Sequence, residues 1–451
     1  MHTHAEELSM LAEILPLLQK EFDTLPDTKP DTLMQDPKLK EVLTAVAQRM
    51  GDNYPYHHPQ YAGQMLKPPH AVARMAYMLA MYLNPNNHAL DGGRASSAME
   101  KEAVTEIARL YGWPKHLGHL TSGGTMANLE ALWVAGQLKP DTLIVASDQA
   151  HYTHQRISAV LGLPFKPIPT DAQGRMSLSA LEEVLRNDEV GTVVATVGTT
   201  GTGSVDPLPG LLALKREYGF RLHIDSAYGG YFTLSDALSA EIRVVYDAIT
   251  QADSLVIDPH KHGLQPYGCG CILFQDPSVG SLYKHDSPYT YFSSDDLHLG
   301  EISLECSRAG AASVALWATQ RYLPLVRGGN FAKMLDQCLT AARSLYLKVK
   351  TSTEYFPLMY PSLDILIFAP YGKTTSEISQ MSRSVFQKAA EQDVHLAVFQ
   401  YPSDKFVELH PQITADSHTV TVLRSCMMKP EHIQAVSKIW SVLEAVAPSR
   451  K

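Results

Sequence analysis

The sequence has few cysteines, no long apolar stretch and no excess of positive charge. Its five cysteines are odd in number and too few for a disulfide scaffold in a chain of 451 residues. Cys269 and Cys271 have no second pair at zinc-binding spacing, so we interpret them as buried apolar thiols. The sequence therefore predicts neither a metal site nor a disulfide-rich fold.

Membrane and nucleic-acid partners are disfavoured on similar grounds. The longest apolar stretch, residues 75–83, is far shorter than the ~20 residues that span a bilayer. The first residues include Glu6 and Glu7 instead of the apolar core of a signal peptide. The 38 basic and 47 acidic residues leave a formal charge of −9, which repels polyanions. We therefore expect a cytoplasmic protein that binds neither membranes nor nucleic acids.

The order of apolar patterns along the chain predicts an α/β fold. Up to about residue 110, apolar residues recur at helical spacing, whereas short β-rich runs alternate with helical segments from residue 120 onward. These β-rich runs are residues 142–146, 192–197, 221–224, 254–257 and 269–274, with two later ones at 364–369 and 420–423. Such alternation is typical of a mainly parallel sheet with helices on both faces, which binds ligands at the carboxyl ends of its strands.

A glycine-rich turn precedes the helix that the pattern predicts for residues 126–138. Residues 121–128 read TSGGTMAN, in which glycine lets the backbone approach an anion and the free N–H groups of a helix start favour negative charge. Ser122 and Thr125 add hydroxyl donors. The spacing matches neither the P-loop nor the dinucleotide fingerprint. A plain helix N-cap turn and a phosphate cradle that includes Gly124 both remain open.

Three polar residues, His151, Asp225 and Lys261, end or closely follow three of the predicted strands. Each alone has an ordinary interpretation, namely a structural histidine (as we expect for His154), an acid that caps a turn and a solvated surface lysine. Together with an anion cradle, they match what pyridoxal phosphate requires. This cofactor needs an amine for its aldehyde, a carboxylate for its pyridine nitrogen and a site for its phosphate.

At these residues the sequence resembles the group II pyridoxal-phosphate decarboxylases, the family of aromatic-amino-acid, glutamate and cysteine-sulfinate decarboxylases. The most specific motifs are residues 147–151 (SDQAH), 197–200 (VGTT), 223–227 (HIDSA) and 258–261 (DPHK). The resemblance implies an α/β fold of the fold-type I, aspartate aminotransferase-like kind, with a mainly parallel seven-stranded sheet. It also implies a homodimer with shared active sites.

The resemblance further implies three units and one activity. The units are an N-terminal helical segment (residues 1–70), a large cofactor-binding domain (71–325) and a small C-terminal α/β domain (326–451). The activity is pyridoxal-phosphate-dependent decarboxylation of an L-amino acid to the corresponding amine and CO₂.

The same resemblance assigns roles at the cofactor. Lys261 would bond covalently to the cofactor aldehyde, Asp225 would pair with the pyridine nitrogen, and His151 would stack on the ring. The further cofactor contacts would be Ser122, Gly124, Thr125, Thr200, Ala227 and His260.

The proton donor and the substrate pocket are less well defined. The family uses a tyrosine from a loop of the neighbouring subunit to protonate the substrate carbon, and both Tyr289 and Tyr291 fit, with Tyr289 slightly favoured. Tyr61 and Arg424 lie where relatives contact the substrate, although they could instead form a rigid turn and brace a domain interface. They are compatible with an aromatic or an acidic substrate.

Three departures from the family leave the cofactor site intact and leave the substrate open. One is Tyr152, which follows the stacking histidine in place of serine, as in the acidic-substrate branch. His262 stands where many relatives have a bulky aromatic residue, and Asp258 stands where some have asparagine. Because an anion facing a phosphate is unfavourable, we do not assign Asp258 to the phosphate. The alternatives are another outcome of the same cofactor (transamination, carbon–carbon bond cleavage or aldehyde-forming oxidative deamination) and a non-catalytic relative. A non-catalytic relative would be expected to lose Lys261 or Asp225, and both are present.

Overall fold

Two β-sheets organise the computed structural model, which describes residues 4–22, 24–25, 33–284 and 298–448. The larger sheet has seven strands in the order β1-β7-β6-β5-β4-β2-β3, and every neighbouring pair is parallel except the two that involve β7. Its strands are β1 (Leu117–Thr121), β2 (Leu143–Ser147), β3 (Phe165–Ile168), β4 (Val190–Thr196), β5 (Arg221–Asp225), β6 (Ser254–Ile257) and β7 (Gly270–Phe274). The predicted α/β class and mainly parallel seven-stranded sheet are confirmed.

The smaller sheet is antiparallel throughout and lies within residues 355–426. Its order is β10-β11-β9-β8. Its strands are β8 (Tyr355–Pro357), β9 (Ile365–Pro370), β10 (Ala397–Pro402) and β11 (Thr419–Cys426). The domain boundaries at residues 70 and 325 stay predictions.

Fourteen α-helices accompany the sheets in the described part of the chain. In chain order they are α1 (His4–Lys20), α2 (Pro37–Met50), α3 (Ala71–Met81), α4 (Arg94–Leu110), α5 (Gly124–Leu138), α6 (Thr153–Leu161), α7 (Leu178–Asn187), α8 (Leu208–Tyr218), α9 (Ala240–Ala248), α10 (Gly310–Tyr322), α11 (Asn330–Lys350), α12 (Thr375–Ala390), α13 (Ser403–Leu409) and α14 (His432–Ala445). No helix within the described residues is long and apolar enough to span a bilayer.

The alternation of side chains along the central strands decides which residues face which helices. In β5, Leu222 and Ile224 join the large hydrophobic core that also includes residues of α4, α7, α8 and α9. Successive side chains of a strand point to opposite faces. His223 and Asp225 therefore face the other side of the sheet, where α5 and α6 pack.

The first two helices bury none of their described side chains. Leu8 and Leu17 of α1 are 57 % and 63 % exposed, and Leu43 and Val46 of α2 are 58 % and 52 % exposed. α1 is tied to the rest of the chain by an ion pair between Glu7 and Arg74. Amphipathic helices gain most of their stability from packing an apolar face, and the described residues of one chain do not supply that contribution to these faces.

Candidate active site

A cavity of about 280 Å³ lies at the carboxyl ends of β2, β4, β5 and β6, beside the first turn of α5. Its wall includes all nine predicted cofactor-contacting residues, Ser122, Gly124, Thr125, His151, Thr200, Asp225, Ala227, His260 and Lys261. The polar ends of parallel strands meet at one sheet edge, which is why residues 139 positions apart in the chain converge here. The cavity therefore brings together the amine, the acid and the glycine-rich turn.

Asp225 ends β5 and is held by several donors. Nε2 of His154 lies 2.8 Å from its Oδ2, and the backbone N–H of Ala227 donates to its Oδ1 at 3.1 Å. Burial acts to raise the pKa of Asp225, but the hydrogen bond and charge of His154, the charge of Lys261 and the Ala227 N–H outweigh it. The net result is a pKa well below the ordinary value, so a buried carboxylate stays ionised on the cavity wall.

Asn128, which lines the cavity, and His223, which does not, extend this network. Nε2 of His223 lies 2.9 Å from Oδ1 of Asn128, and the amide nitrogen of Asn128 donates to the carbonyl of Gly124 at 2.9 Å and to Asp225 at 3.4 Å. Burial lowers the pKa of His223 to about 3, so this ring is neutral at physiological pH. A neutral ring with its hydrogen on Nε2 orients the amide of Asn128 toward the acid.

Lys261 pairs with a second acid of the cavity wall, Asp258. Its Nζ lies 3.0 Å from Oδ2 of Asp258, and Nε2 of His260 lies 3.6 Å from the same oxygen. Nδ1 of His260 is 2.8 Å from the carbonyl of Cys269, which fixes that ring by donation to the carbonyl. Burial is the main cause that lowers the pKa of His260. Asp258 thus has one cationic partner in the site, Lys261, and its exclusion from the phosphate contacts stays a prediction.

The first turn of α5 forms one end of the cavity. Gly123 is the N-cap residue of the helix, and no described side chain makes a capping hydrogen bond to its first turn, so both interpretations of this turn stay open. A Cβ on Gly124 would lie 2.6 Å from Oδ2 of Asp258, so only glycine fits there without displacing the acid. Ser122 and Thr125 flank this turn on the cavity wall. Orphan N–H groups at a helix start with hydroxyls beside them suit an anion.

His151 follows β2 and lies on the cavity wall just before α6 begins. Its ring stacks on that of Tyr152 with centroids 4.4 Å apart. Burial lowers the pKa of His151; Asp225 raises it and Lys261 lowers it further. A neutral, flat ring at this position is suited to contact another aromatic ring.

The residues present fit pyridoxal phosphate. The cavity holds an amine (Lys261), an ionised buried carboxylate (Asp225), a flat imidazole (His151) and an uncapped helix start with hydroxyls. Lys261 contributes to lowering the pKa of Asp225, so the two side chains lie within electrostatic reach across one small cavity. These are the amine, acid and anion cradle that the cofactor requires.

The predicted substrate contacts lie elsewhere. Neither Tyr61 nor Arg424 is part of this cavity's described wall, and Tyr289 and Tyr291 lie outside the described residues. Tyr61 is 4 % exposed and its carbonyl accepts a 2.6 Å hydrogen bond from Lys429. Arg424 is 4 % exposed; its Nη1 is 3.5 Å from Oε1 of Gln64, whereas its Nε and Nη2 have no hydrogen-bond partner among the described residues.

Comparison with known proteins gives a consistent result. The family described as "Pyridoxal-dependent decarboxylase conserved domain" matches residues 25–368. The chain is 27 % identical to an L-tyrosine decarboxylase of Enterococcus faecium over 88 % of this chain and 82 % of the relative. It is also 27 % identical to an L-aspartate decarboxylase of Thermococcus kodakarensis (73 % and 84 % covered) and 31 % identical to a probable L-tyrosine/L-aspartate decarboxylase of Methanoculleus marisnigri (68 % and 82 % covered).

Solved structures share the fold at low sequence identity. The crystal structure of mouse CSAD matches with a TM-score of 0.79 at 20 % identity, over 96 % of this chain and 92 % of that one. The Oryza sativa TDC structure with PLP and tryptamine matches with a TM-score of 0.78 at 16 % identity, over 99 % and 100 %. The predicted fold-type I architecture and the resemblance stated from the motifs are thereby confirmed.

Proposed function

Because the chain belongs to the pyridoxal-dependent decarboxylase family, it is a pyridoxal-phosphate-dependent carboxy-lyase that acts on an amino acid, and we propose that the cavity around Lys261 and Asp225 is its active site. The observation that carries this assignment is an ionised, buried carboxylate and an amine on the wall of one cavity. When bound, pyridoxal phosphate withdraws the electrons of the breaking bond between Cα and the carboxylate into its protonated ring.

Each residue of the cavity would then have a defined task. Lys261 would supply the amine that attaches the cofactor and is freed when the substrate arrives. Asp225 would hold the proton on the pyridine nitrogen, because an ionised acid beside it raises that nitrogen's pKa. His151 would support the ring face. The helix start at Gly124, with Ser122 and Thr125, would bind the phosphate.

The active-site assignment is tested by replacing Lys261 with alanine. The unmodified protein should take up pyridoxal phosphate with a visible absorption band and release CO₂ and amine from one amino acid. Lys261→Ala should lose the band and the activity. Release of ammonia and aldehyde, without amine, would contradict decarboxylation as the main reaction. A Lys261→Ala variant with the unmodified spectrum would contradict the assignment.

We also propose that the substrate carries a side-chain carboxylate, in addition to the α-carboxylate that is lost as CO₂, and that Arg424 binds this side-chain carboxylate. Two of its guanidinium nitrogens are buried without a partner among the described residues, which is costly unless a ligand fills the role. The guanidinium lies close enough to the phenol of Tyr228, a residue that lines the cavity, to lower that phenol's otherwise raised pKa. Arg424, on the strand β11, thus lies within electrostatic reach of one residue of the cavity wall.

The substrate proposal predicts a difference between two classes of amino acid. Among aspartate, glutamate, tyrosine and 2,4-diaminobutyrate, we expect the highest kcat/KM for an acidic substrate. Arg424→Gln should raise the KM for that substrate by ~10-fold or more, since a charge-assisted pair is lost. Arg383→Gln is the matched control, because Arg383 donates to Thr421 on the same strand. A preference for tyrosine that survives Arg424→Gln would contradict an acidic substrate.

A homodimer with shared active sites is the third part of the proposal. It is supported by the apolar residues of α1 and α2, which are exposed in the single chain, since exposed apolar faces of this size mark interaction surfaces. In this arrangement Tyr289 or Tyr291 of one chain would donate the proton to Cα at the other chain's site.

Two measurements test the dimer. Light scattering should give a mass of twice that of one chain. The double variant Leu43→Glu, Val46→Glu should have a lower mass. The control Leu347→Glu, which changes an exposed apolar residue of α11, should keep the mass of the dimer. Mixing Lys261→Ala chains with Tyr289→Phe or Tyr291→Phe chains should restore activity, because one site of the hybrid is intact. No restoration with either tyrosine variant would contradict shared sites. The cytoplasmic location stays a prediction that cell fractionation would test.

A further inference from the structure

We propose that His154 is a positioning residue of the reaction, which keeps the Asp225 carboxylate ionised and oriented toward the pyridine nitrogen of the cofactor. This inference rests on the proposed function, because His154 has this role only if Asp225 meets the cofactor. The sequence alone assigned His154 a structural role, and its position one turn after His151 was the available signal.

His154 contacts Asp225 from behind the cavity wall. Nε2 of His154 lies 2.8 Å from Oδ2 of Asp225, and the two side chains are 1 % and 6 % exposed. Asp225 and the neighbouring Thr153 are on the cavity wall, whereas His154 is not. His154 therefore acts on a ligand of the cavity through Asp225.

The surroundings of the ring fix which nitrogen donates. Nδ1 of His154 is buried and has no hydrogen-bond partner among the described residues, while Nε2 faces the carboxylate. If the hydrogen of a neutral ring were on Nδ1, it would be a buried donor with no acceptor. In that tautomer Nε2 would also face the carboxylate without a hydrogen, so both nitrogens would be in unfavourable surroundings. In either charge state of the ring, the stable arrangement has a hydrogen on Nε2 that is donated to Asp225.

No other described side chain replaces this donor. The amide nitrogen of Asn128 is farther from Oδ2, at 3.4 Å, and also donates to the carbonyl of Gly124 at 2.9 Å. The Ala227 N–H donates to the other oxygen of Asp225. His223 is neutral and contacts Asn128 instead of the acid. Loss of His154 would thus leave Oδ2 with one long contact.

The consequence concerns the charge of the acid. A buried carboxylate that loses a strong donor takes up a proton more readily, and a protonated Asp225 could no longer stabilise a charged pyridine nitrogen. His154 would therefore affect cofactor affinity and the protonation of the ring, and it would affect kcat more than the KM for the amino acid.

The test compares His154→Leu, His154→Gln and the control His119→Leu. His119 is matched because it is also a buried histidine paired with an acid, with its Nε2 2.9 Å from Oε2 of Glu130. Each apoprotein is titrated with pyridoxal phosphate, and the ring nitrogen is observed by NMR after loading with the ¹⁵N-labelled cofactor. Circular dichroism checks that each variant is folded.

We expect His154→Leu to weaken cofactor binding by roughly tenfold or more and to shift the ring nitrogen signal toward the unprotonated form. His154→Gln should recover part of both, because its amide can donate to Oδ2. His119→Leu should leave both unchanged. If His154→Leu does not fold, an intermediate nitrogen signal in His154→Gln supports the inference and an unchanged signal overturns it.

Two results would overturn the inference in distinguishable ways. If the unmodified protein binds the cofactor and releases CO₂ but His154→Leu has the same affinity and nitrogen signal, the role of His154 is wrong and the proposed function stands. The role of His154 is also wrong if His119→Leu weakens cofactor binding as much as His154→Leu does, since the effect is then general destabilisation. If the unmodified protein binds no pyridoxal phosphate, the proposed function and this inference fail together.

Discussion

Replacement of Asp225 with asparagine is the sharpest single test of the site. Asparagine has the same shape and its carbonyl can still accept from Nε2 of His154, which now lies 2.8 Å from the carboxylate. The substitution therefore removes the negative charge with little change in packing. What it removes is the counter-charge expected at the pyridine nitrogen of the cofactor.

The size of the effect follows from the burial of Asp225, which is 5 % exposed. A hydrogen bond to a charged group contributes about 1.5–3 kcal/mol, against about 1 kcal/mol for a neutral one. The difference of ~0.5–2 kcal/mol corresponds to cofactor binding that is ~2- to 30-fold weaker. We expect kcat to fall further, on the order of 10²-fold or more, because a fixed charge aimed at the reacting system is lost.

The assay titrates the apoprotein with pyridoxal phosphate and then measures CO₂ release at saturating cofactor. Glu130→Gln is the matched control, because Glu130 is a fully buried acid paired with a histidine that does not line the cavity. Glu130→Gln is expected to change the stability of the protein without changing the NMR signal of the cofactor's ring nitrogen, which is measured as in the His154 test. A folded Asp225→Asn variant with unmodified affinity and kcat would refute the assignment of Asp225 to the pyridine nitrogen.

Two further predictions use other parts of the cavity wall and its support. Gly124→Ala should weaken binding of pyridoxal phosphate more than binding of phosphate-free pyridoxal. The reason is that the added Cβ would lie 2.6 Å from Oδ2 of Asp258, in the helix start that would bind the phosphate. Equal losses of affinity for the two compounds in calorimetry would contradict a phosphate site at this turn. Asp206, which accepts from the N–H groups of Met176 and Thr196, has a pKa that burial raises from 3.8 to about 6. As the pH rises, Asp206 ionises in the unfolded chain before it ionises in the folded protein. The free energy of unfolding should therefore fall by about 3 kcal/mol between pH ~4 and ~6. Urea unfolding of Asp206→Asn should lack this decline, and an identical pH dependence in both proteins would contradict it.

The central strands could be predicted from the sequence because they are short apolar runs that end in polar residues. The predicted run at residues 254–257 coincides with β6, and that at 221–224 is one residue shorter than β5. The strands β1 and β3 were not predicted, and both are edge strands of the large sheet. β3 contains the exposed Lys166 and also Pro167, which favour an edge position, so pairing with a neighbour rather than local composition makes it a strand.

The small sheet shows the same limit. Its central strands β9 and β11 follow from apolar runs, whereas β8 and β10, which lie at its two edges, were missed. In the site, strand ends identified His151, Asp225 and Lys261. The position of His154 after His151 was a signal for the site, but its contact with Asp225 does not follow from that position, because it depends on where α6 lies relative to the end of β5. Side-chain periodicity within α6 does not give that position.

The structure separates the residues that would hold the cofactor from those that would select the substrate. Tyr228, which lines the cavity, donates to Oδ1 of Asp364 at 2.7 Å, and Nε2 of His262 lies 3.1 Å from the other oxygen of this buried acid. Asp364 directly precedes β9, which pairs with the strand that carries Arg424. His262, at the position where the resemblance implies an aromatic residue in many relatives, is therefore linked to the strand of Arg424 through one acid. A change there could alter the substrate side while Lys261 and its partners stay in place, which agrees with a family whose members are named for different amino acids.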